Sequence, residues 1–316
     1  MRTDEVKGTC ESIIGEVGKV IVGKRAVMER CVMCLLADGH LLFEDYPGLA
    51  KTLLAKTLAR ATGMDFKRVQ FTPDLLPADI TGTYILDRQS STFALREGPV
   101  FTNLLLADEI NRAPPKTQSA LLEAMQERQV TLEGATHPLP KPFIVMATQN
   151  PIEYEGTYPL PEAQIDRFLM RTEVGYPGTS EEAEVLRRRR ERKQEDASVQ
   201  AVSSAAQILE MQRAVEDIHV DPAIDEYIVK LVAGTRTHPQ VEVGASPRGS
   251  LALMRLGAAH AALVGRDYLL PDDVKEIVVP ALAHRLILAP DPWIRGVRPS
   301  SIIEDVLRSV PVPKVD

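Results

Sequence analysis

Cysteine is scarce in this 316-residue sequence: Cys10, Cys31 and Cys34 are the whole set. An odd, low count offers no disulfide framework and points to a reducing compartment. Cys31 and Cys34 have C-x-x-C spacing, but they fall in an apolar, helix-compatible stretch from Val27 to Leu36 with no second cysteine or histidine cluster. They read as buried thiols, because free cysteine packs as a small hydrophobe. The six histidines lack metal-ligand spacing, and His284 beside Arg285 reads as structural. No apolar run reaches the ~18–20 residues a membrane-spanning helix needs. The start, Met1-Arg2-Thr3-Asp4-Glu5, soon turns acidic and has no secretion-type apolar segment. A soluble, cytoplasmic protein is expected. A basic excess is also missing. A net charge of -7 and a pI near 5.5 give no bulk field to attract nucleic acid. The one basic run, Arg187 to Arg190, sits among Glu184, Glu191, Glu195 and Asp196, and reads as a solvated helix face.

What is present suffices for folding. Hydrophobic residues at 44% allow a sizeable core, and 26% charge without a low-complexity run argues against disorder. The length suits two domains. Residues 4–36 look helical with a break at Val22-Gly23-Lys24. An apolar strand at His40–Glu44 meets a turn, Asp45-Tyr46-Pro47-Gly48, and a helix from Lys51 to about Thr62. Further strands are expected at Phe66–Phe71, Asn103–Ala107, Pro142–Ala147 and Phe168–Val174. A helix is expected from Pro115 to Arg128. Hairpins are expected at Thr83–Leu95, around Gln89-Ser90-Ser91, and at Val130–Leu139, bent near Gly134. Apolar strands alternating with helices imply an α/β fold with a parallel sheet covered on both faces. Gly175-Tyr176-Pro177-Gly178 then breaks the pattern, and Thr179-Ser180-Glu181-Glu182 offers a helix-capping box. Beyond it the sequence reads as almost wholly helical. Residues 1–177 are therefore expected to form the α/β domain and 178–316 a smaller, helical one.

Between the first strand and its helix lies Asp45-Tyr46-Pro47-Gly48-Leu49-Ala50-Lys51-Thr52. A strand-to-helix turn aims backbone N–H groups and the positive helix end at an anion. In G-x-x-x-x-G-K-[ST] loops the lysine reaches the outer phosphates and the next hydroxyl binds Mg²⁺; Lys51 and Thr52 hold those places. Asp45 and Ala50 replace the two glycines, so the loop alone is also compatible with an ordinary βα turn carrying a lysine. The second motif weighs against that. Leu104-Leu105-Leu106-Ala107-Asp108-Glu109 is an apolar strand ending in two acids, delivered to the sheet edge where α/β ligands bind. Asp108 suits a Mg²⁺, directly or through water, and Glu109 suits a water attacking a γ-phosphate. No separate acceptor-binding lid of the small-molecule-kinase kind is apparent.

From here the residues resemble a known family. Asp108-Glu109-Ile110-Asn111-Arg112-Ala113-Pro114-Pro115, Ala147-Thr148-Gln149-Asn150-Pro151, Glu162-Ala163-Gln164-Ile165-Asp166-Arg167-Phe168, Gly244-Ala245-Ser246-Pro247-Arg248 and Gly265-Arg266-Asp267-Tyr268 closely resemble the MoxR family of AAA+ ATPases, over roughly residues 20–290. The resemblance implies an AAA+ αβα core with a P-loop, followed by a smaller all-helical lid. It implies that Pro47, Gly48, Leu49, Ala50, Lys51, Thr52 and Leu53 hold ATP, with Val22 and Gly23 beside adenine. Thr52 and Asp108 then hold Mg²⁺, and Lys51 and Glu109 act in catalysis. Asn150 takes the place of sensor 1, Arg167 of an arginine finger serving the neighbouring subunit, and Arg248 of sensor 2 in the same or an adjacent subunit. Blander roles exist for each: an ion pair of Arg167 with Asp166, a turn at Asn150-Pro151, a helix start at Arg248. Arg112 suits a subunit interface or solvent equally. The hairpins resemble the helix-2 insert and the pre-sensor-1 hairpin that face the ring pore in related motors.

The implied protein is a ring ATPase, usually hexameric, that remodels or matures a partner in a chaperone-like way. The implied partner is a von Willebrand A-domain protein, and the work includes metal-cofactor insertion. Two alternatives stand beside it: an ATP-dependent scaffold with little hydrolysis, slightly favoured by Ala50, and a DNA-remodelling AAA+ protein, disfavoured by acidity. The family tolerates a Pro-Gly-x-Ala-Lys-Thr loop, so activity is expected, with slow turnover.

Overall fold

The chain's periodicities resolve into strands and helices in a computed structural model that describes residues 1–87, 92–151, 156–193 and 198–314. Gln89-Ser90-Ser91, at the centre of the first expected hairpin, and the acidic pair Glu195–Asp196 lie outside the described residues. Helices α1 (Thr3–Gly18) and α2 (Arg25–Leu36) lead into β1 (Leu41–Glu44). There follow α3 (Lys51–Ala61), β2 (Phe66–Gln70), the short α4 (Pro77–Thr81), the pair β3 (Gly82–Asp87) and β4 (Thr92–Glu97), and β5 (Leu104–Asp108). Then come α5 (Pro115–Glu127), the pair β6 (Gln129–Leu132) and β7 (Ala135–Pro138), β8 (Ile144–Gln149), α6 (Glu162–Ile165) and β9 (Met170–Thr172). After β9 the chain forms α7 (Thr179–Arg192), α8 (Ala205–Glu216), α9 (Pro222–Thr237), β10 (Val241–Val243), α10 (Pro247–Leu263) and α11 (Pro271–Leu282). It ends with β11 (Ile287–Leu288), α12 (Pro290–Ile294) and α13 (Pro299–Ser309).

Five strands make one parallel sheet in the order β2-β5-β8-β1-β9. Successive side chains of a strand point to opposite faces, and each face has its own cover. Leu41, Phe43, Leu104, Leu106, Ile144 and Met146 pack with α1, α2 and α3. Leu42, Leu105, Ala107, Val145 and Ala147 pack with Leu121, Leu122 and Met125 of α5. This double cover is why the strands read as continuous apolar runs rather than alternating ones. His40 pins the corner where β1 starts. Its Nδ1 accepts from Val145 N at 3.0 Å, its Nε2 bonds Met125 O at 3.0 Å, and burial pushes the ring pKa down to about 3, so it stays neutral.

The segment after β9 is helical apart from the small β10–β11 antiparallel pair. Its core is not separate from the first. Met211, Leu231, Leu253, Ile277 and Ile302 belong to the same apolar cluster as the α1–α3 side of the sheet, and α1 and α2 bridge the two parts. Cys10, Cys31 and Cys34 lie in that bridge. Burial raises the thiol pKa to about 12 for Cys10 and Cys31, and well above the usual value for Cys34, which makes them packing residues. Among the described residues, no helix is long and apolar enough to cross a membrane. In the arginine run, Arg187 and Arg188 both pair with Glu184 at 2.7 Å.

One buried carboxylate joins α10 to α11. Asp273, 1% exposed, accepts from Arg266 Nη1 at 2.8 Å and from Leu270 N at 2.8 Å, and bonds His260 Nδ1 at 2.6 Å. Burial acts to raise its pKa, but the bonds from His260, Arg266 and Leu270 prevail and hold it below the usual value. Asp273→Ala leaves the partly exposed Arg266 and His260, and the Leu270 N–H, without their shared acceptor. We expect it to cost about 2–3 kcal/mol in urea unfolding at pH 7. Because the folded carboxyl is the stronger acid, the native chain carries this stabilisation fully above roughly pH 4 and loses it as pH falls through the depressed value. The difference from the variant should therefore shrink only under strong acid.

Candidate active site

Parallel register brings three strand ends to one edge: Phe43 lies beside Thr148, Glu44 beside Gln149, and Ala107 beside Ala147. Residues at and just beyond these ends line one cleft of ≈ 410 Å³: Pro47 to Ala50 of the β1–α3 loop, Lys51 to Leu53 of α3, Asp108 of β5 with Glu109 after it, and Thr148 and Gln149 of β8 with Asn150 after them. Position 50 needs the left-handed backbone that a glycine usually supplies. Ala50 adopts it, at φ 58° and ψ 19°, and Gly48 sits at φ 84°. The helix α3 begins at the next residue, so its positive end abuts the loop. Lys51 Nζ donates to the carbonyls of Asp45 at 2.8 Å and Tyr46 at 2.6 Å. Burial lowers the Lys51 pKa, against the pull of the Asp45, Asp108 and Glu109 charges.

Asp108 is hydrogen-bonded on both oxygens. Thr148 Oγ1 donates to Oδ1 at 2.6 Å. Oδ2 faces Thr52 Oγ1 at 3.5 Å and takes two bonds from Arg68, Nη2 at 2.7 Å and Nε at 3.1 Å. Glu109 turns the chain through φ 56° and donates its own N–H to Thr148 Oγ1 at 2.8 Å. Its Oε2 accepts from Gln70 Nε2 at 2.6 Å and pairs with Arg112 Nε at 3.0 Å. Arg68, Gln70 and Thr148 were not singled out from sequence. The i, i+2 spacing of Arg68 and Gln70 puts them on one face of β2, but only the strand order places β2 against β5, where Gln70 lies opposite Asp108. The Thr52 hydroxyl and the Asp108 carboxylate offer adjacent hard oxygen donors, which suit Mg²⁺. Among the described residues, no group of three or more His, Cys, Asp or Glu could hold a metal unaided.

Arg167 and Arg248 do not line this cleft. They share a second one, of ≈ 220 Å³, with Asp166, Arg255 and Arg285. Arg167 Nη1 donates to Leu122 O at 2.8 Å, while its buried Nε has no hydrogen-bond partner. Arg248 is half-exposed and stands 3.8 Å from Asp166 Oδ2. Buried Arg285 pairs with the Asp166 carboxylate and donates to the carbonyls of Asp166 and Phe168, both at 2.8 Å, so it holds the backbone on either side of Arg167. Val22 and Gly23 also lie outside the first cleft. Gly23, at φ 76°, closes against Glu181 of α7 so tightly that a Cβ would stand 1.8 Å from its Oε1.

Comparison with known proteins matches these features. The family model for ATPases associated with various cellular activities (AAA) covers residues 40–170, and the AAA lid domain covers 233–306. Chaperone MoxR1 of Mycobacterium tuberculosis is 45% identical over 98% of this chain and 83% of its own length. Protein MoxR of Methylorubrum extorquens is 30% identical over 93% of this chain and 91% of its own. The crystal structure of a "putative ATPase" from Cytophaga hutchinsonii, 42% identical, superposes with a TM-score of 0.93 over 99% of this chain and 97% of that one.

The exposed methyl of Ala50 packs little, while its left-handed backbone costs an L-residue about 1–2 kcal/mol. Glycine would remove that cost and return part of it as unfolded-chain entropy. Ala50→Gly is expected to stabilise the chain by about 0.5–1 kcal/mol net in denaturant unfolding. A lower midpoint than native would refute the backbone account.

Proposed function

This chain belongs to the MoxR family of AAA+ ATPases, and we propose that it hydrolyses ATP, with Mg²⁺, as a subunit of a hexameric ring that remodels or matures a partner protein. The observation carrying this reading is the convergence of Lys51, Thr52, Asp108 and Glu109 on one cleft at the sheet edge. Residues 1–177 form the nucleotide-binding core in this reading and 178–316 the lid, with the passage between them in the stretch after Thr172. The loop from Pro47 to Leu53 wraps the phosphates with backbone N–H groups. Lys51 leaves its two carbonyls for the outer phosphates. Thr52 and Asp108 hold Mg²⁺, which when bound neutralises charge on the phosphate oxygens. Glu109 would accept a proton from the attacking water, and Asn150, which also lines the cleft, would orient that water.

The second cleft supports a role in trans. Arg167 and Arg248 lie away from their own chain's nucleotide cleft, and Arg167 keeps an unspent buried donor. Both suit an anion presented by a neighbouring subunit. Val22 and Gly23 are assigned to the adenine side, across the linker from the loop: Lys24 Nζ bonds Tyr176 O at 2.8 Å, and the Tyr176 ring lies 6.0 Å from that of Tyr46. The M. tuberculosis relative is a chaperone. A chaperone-like action, extending to metal-cofactor insertion and to a von Willebrand A-domain partner, is the corresponding role here. Three buried free thiols suit a cytoplasmic setting.

A second reading, an ATP-dependent scaffold that hydrolyses little, is favoured by one contact: Glu109 is engaged by Gln70 and Arg112 instead of facing free solvent. Phosphate release separates the two. Glu109→Gln should lower turnover by about 10²–10³-fold while fluorescent ATP still binds; equal, near-zero rates for native and variant would establish the scaffold. Arg167→Ala should lower turnover by roughly 10³-fold with binding intact. Mixing it with Glu109→Gln should restore measurable hydrolysis, because some interfaces then pair a native Glu109 with a native Arg167. No recovery in mixed rings would remove the trans assignment.

A further inference from the structure

Asp45 stands where a phosphate loop usually has its first glycine, yet it is buried at 6% exposure and fully engaged. Its Oδ1 accepts from Tyr46 N at 2.8 Å. Its Oδ2 accepts from Val174 N and Gly175 N, both at 2.7 Å. These last two residues follow β9 and begin the linker that enters α7 four residues later, at Thr179. Parallel pairing of β1 with β9 ends at Phe43 and Thr172, so the carboxylate bridges the two strands' extensions just where the ladder stops. Charge-assisted bonds to backbone N–H groups are stronger than neutral ones. The same residue's carbonyl accepts from Lys51 Nζ at 2.8 Å.

We propose that Asp45 is a positioning residue that couples occupancy of the phosphate loop to the linker leading into the lid. The inference rests on the nucleotide reading of the cleft. A phosphate that draws Lys51 away releases the Asp45 carbonyl. Any resulting turn of the Asp45 backbone moves a carboxylate fastened to Val174 and Gly175. A glycine at position 45 would permit the same loop and transmit nothing. The replacement of glycine by aspartate is then a gain of communication rather than a damaged motif. The Tyr46–Tyr176 ring contact, at 6.0 Å, runs alongside this route.

Hydrogen exchange on the full chain tests the proposal, read at residues 174–178 and the first turn of α7, without nucleotide and with saturating adenylyl-imidodiphosphate and Mg²⁺. Saturation is confirmed by displacement of a fluorescent ATP analogue. The native chain should show a severalfold change in exchange of this segment on binding. In Asp45→Gly the change should vanish although the analogue binds, and in Asp45→Asn, which keeps the shape but loses an acceptor, it should fall below half. A mere strand cap would alter absolute protection in both states equally, so the nucleotide-dependent difference is the decisive quantity. A native-sized response in Asp45→Gly overturns the proposal; if that variant does not fold, a native-sized response in Asp45→Asn does so. Native chain that binds the analogue with no change at 174–178 overturns this inference alone. Native chain that fails to bind it overturns the nucleotide reading beneath it.

Discussion

Three parallel strands whose carboxyl ends stop level with one another constrain everything else in this chain. Because β1, β5 and β8 are adjacent in the sheet, the residues that leave them must meet. The meeting point has a hub: the Thr148 hydroxyl donates to the Asp108 carboxylate and accepts from the Glu109 backbone N–H, so one side chain of β8 holds the Asp108 carboxylate and the backbone of Glu109. An apolar sheet with both faces covered tolerates such charge only at its rim, where each oxygen can find a donor. Asp108 meets that condition with Thr148, Arg68 and Thr52.

How far the sequence speaks follows from what each signal encodes. Apolar runs announced β1, β5 and β8, since doubly covered strands need them, and the acids after Ala107 fell at a strand end as expected. The lysine, threonine and acid pair were recoverable because each is tied to its own strand by a few residues of chain. Arg68 and Gln70 were not. Their part depends on β2 lying next to β5, a long-range pairing that no local pattern records. The packing partners of α1 and α2 were hidden for the same reason: helical periodicity tells which face is apolar, not what covers it. The β10–β11 pair is too short to leave a periodic trace, and Asp273 gave no sign in sequence that three donors would surround it.

The two clefts divide labour along the chain. The first gathers loop, acids and Asn150; the second gathers arginines around Asp166, with Arg285 gripping the backbone on both sides of Arg167. A buried guanidinium that bonds a carboxylate and three carbonyls is a stiff support, because its planar fork fixes direction as well as charge. Since Arg285 comes from the segment after α11, the orientation of Arg167 depends on a part of the chain far away in sequence.

The apolar core running unbroken from the sheet through α1 and α2 to the later helices sets how the two parts of this chain can separate. A lid joined by its linker alone would swing like a door. Here the first 36 residues are wedged between both parts, and opening them by separation would bare a large greasy seam to water. Interdigitated helices slide past one another at far lower cost than they part. The amino-terminal pair of helices is thereby the buried link that holds the later helices to the sheet, and any variant that loosens it should loosen both parts together.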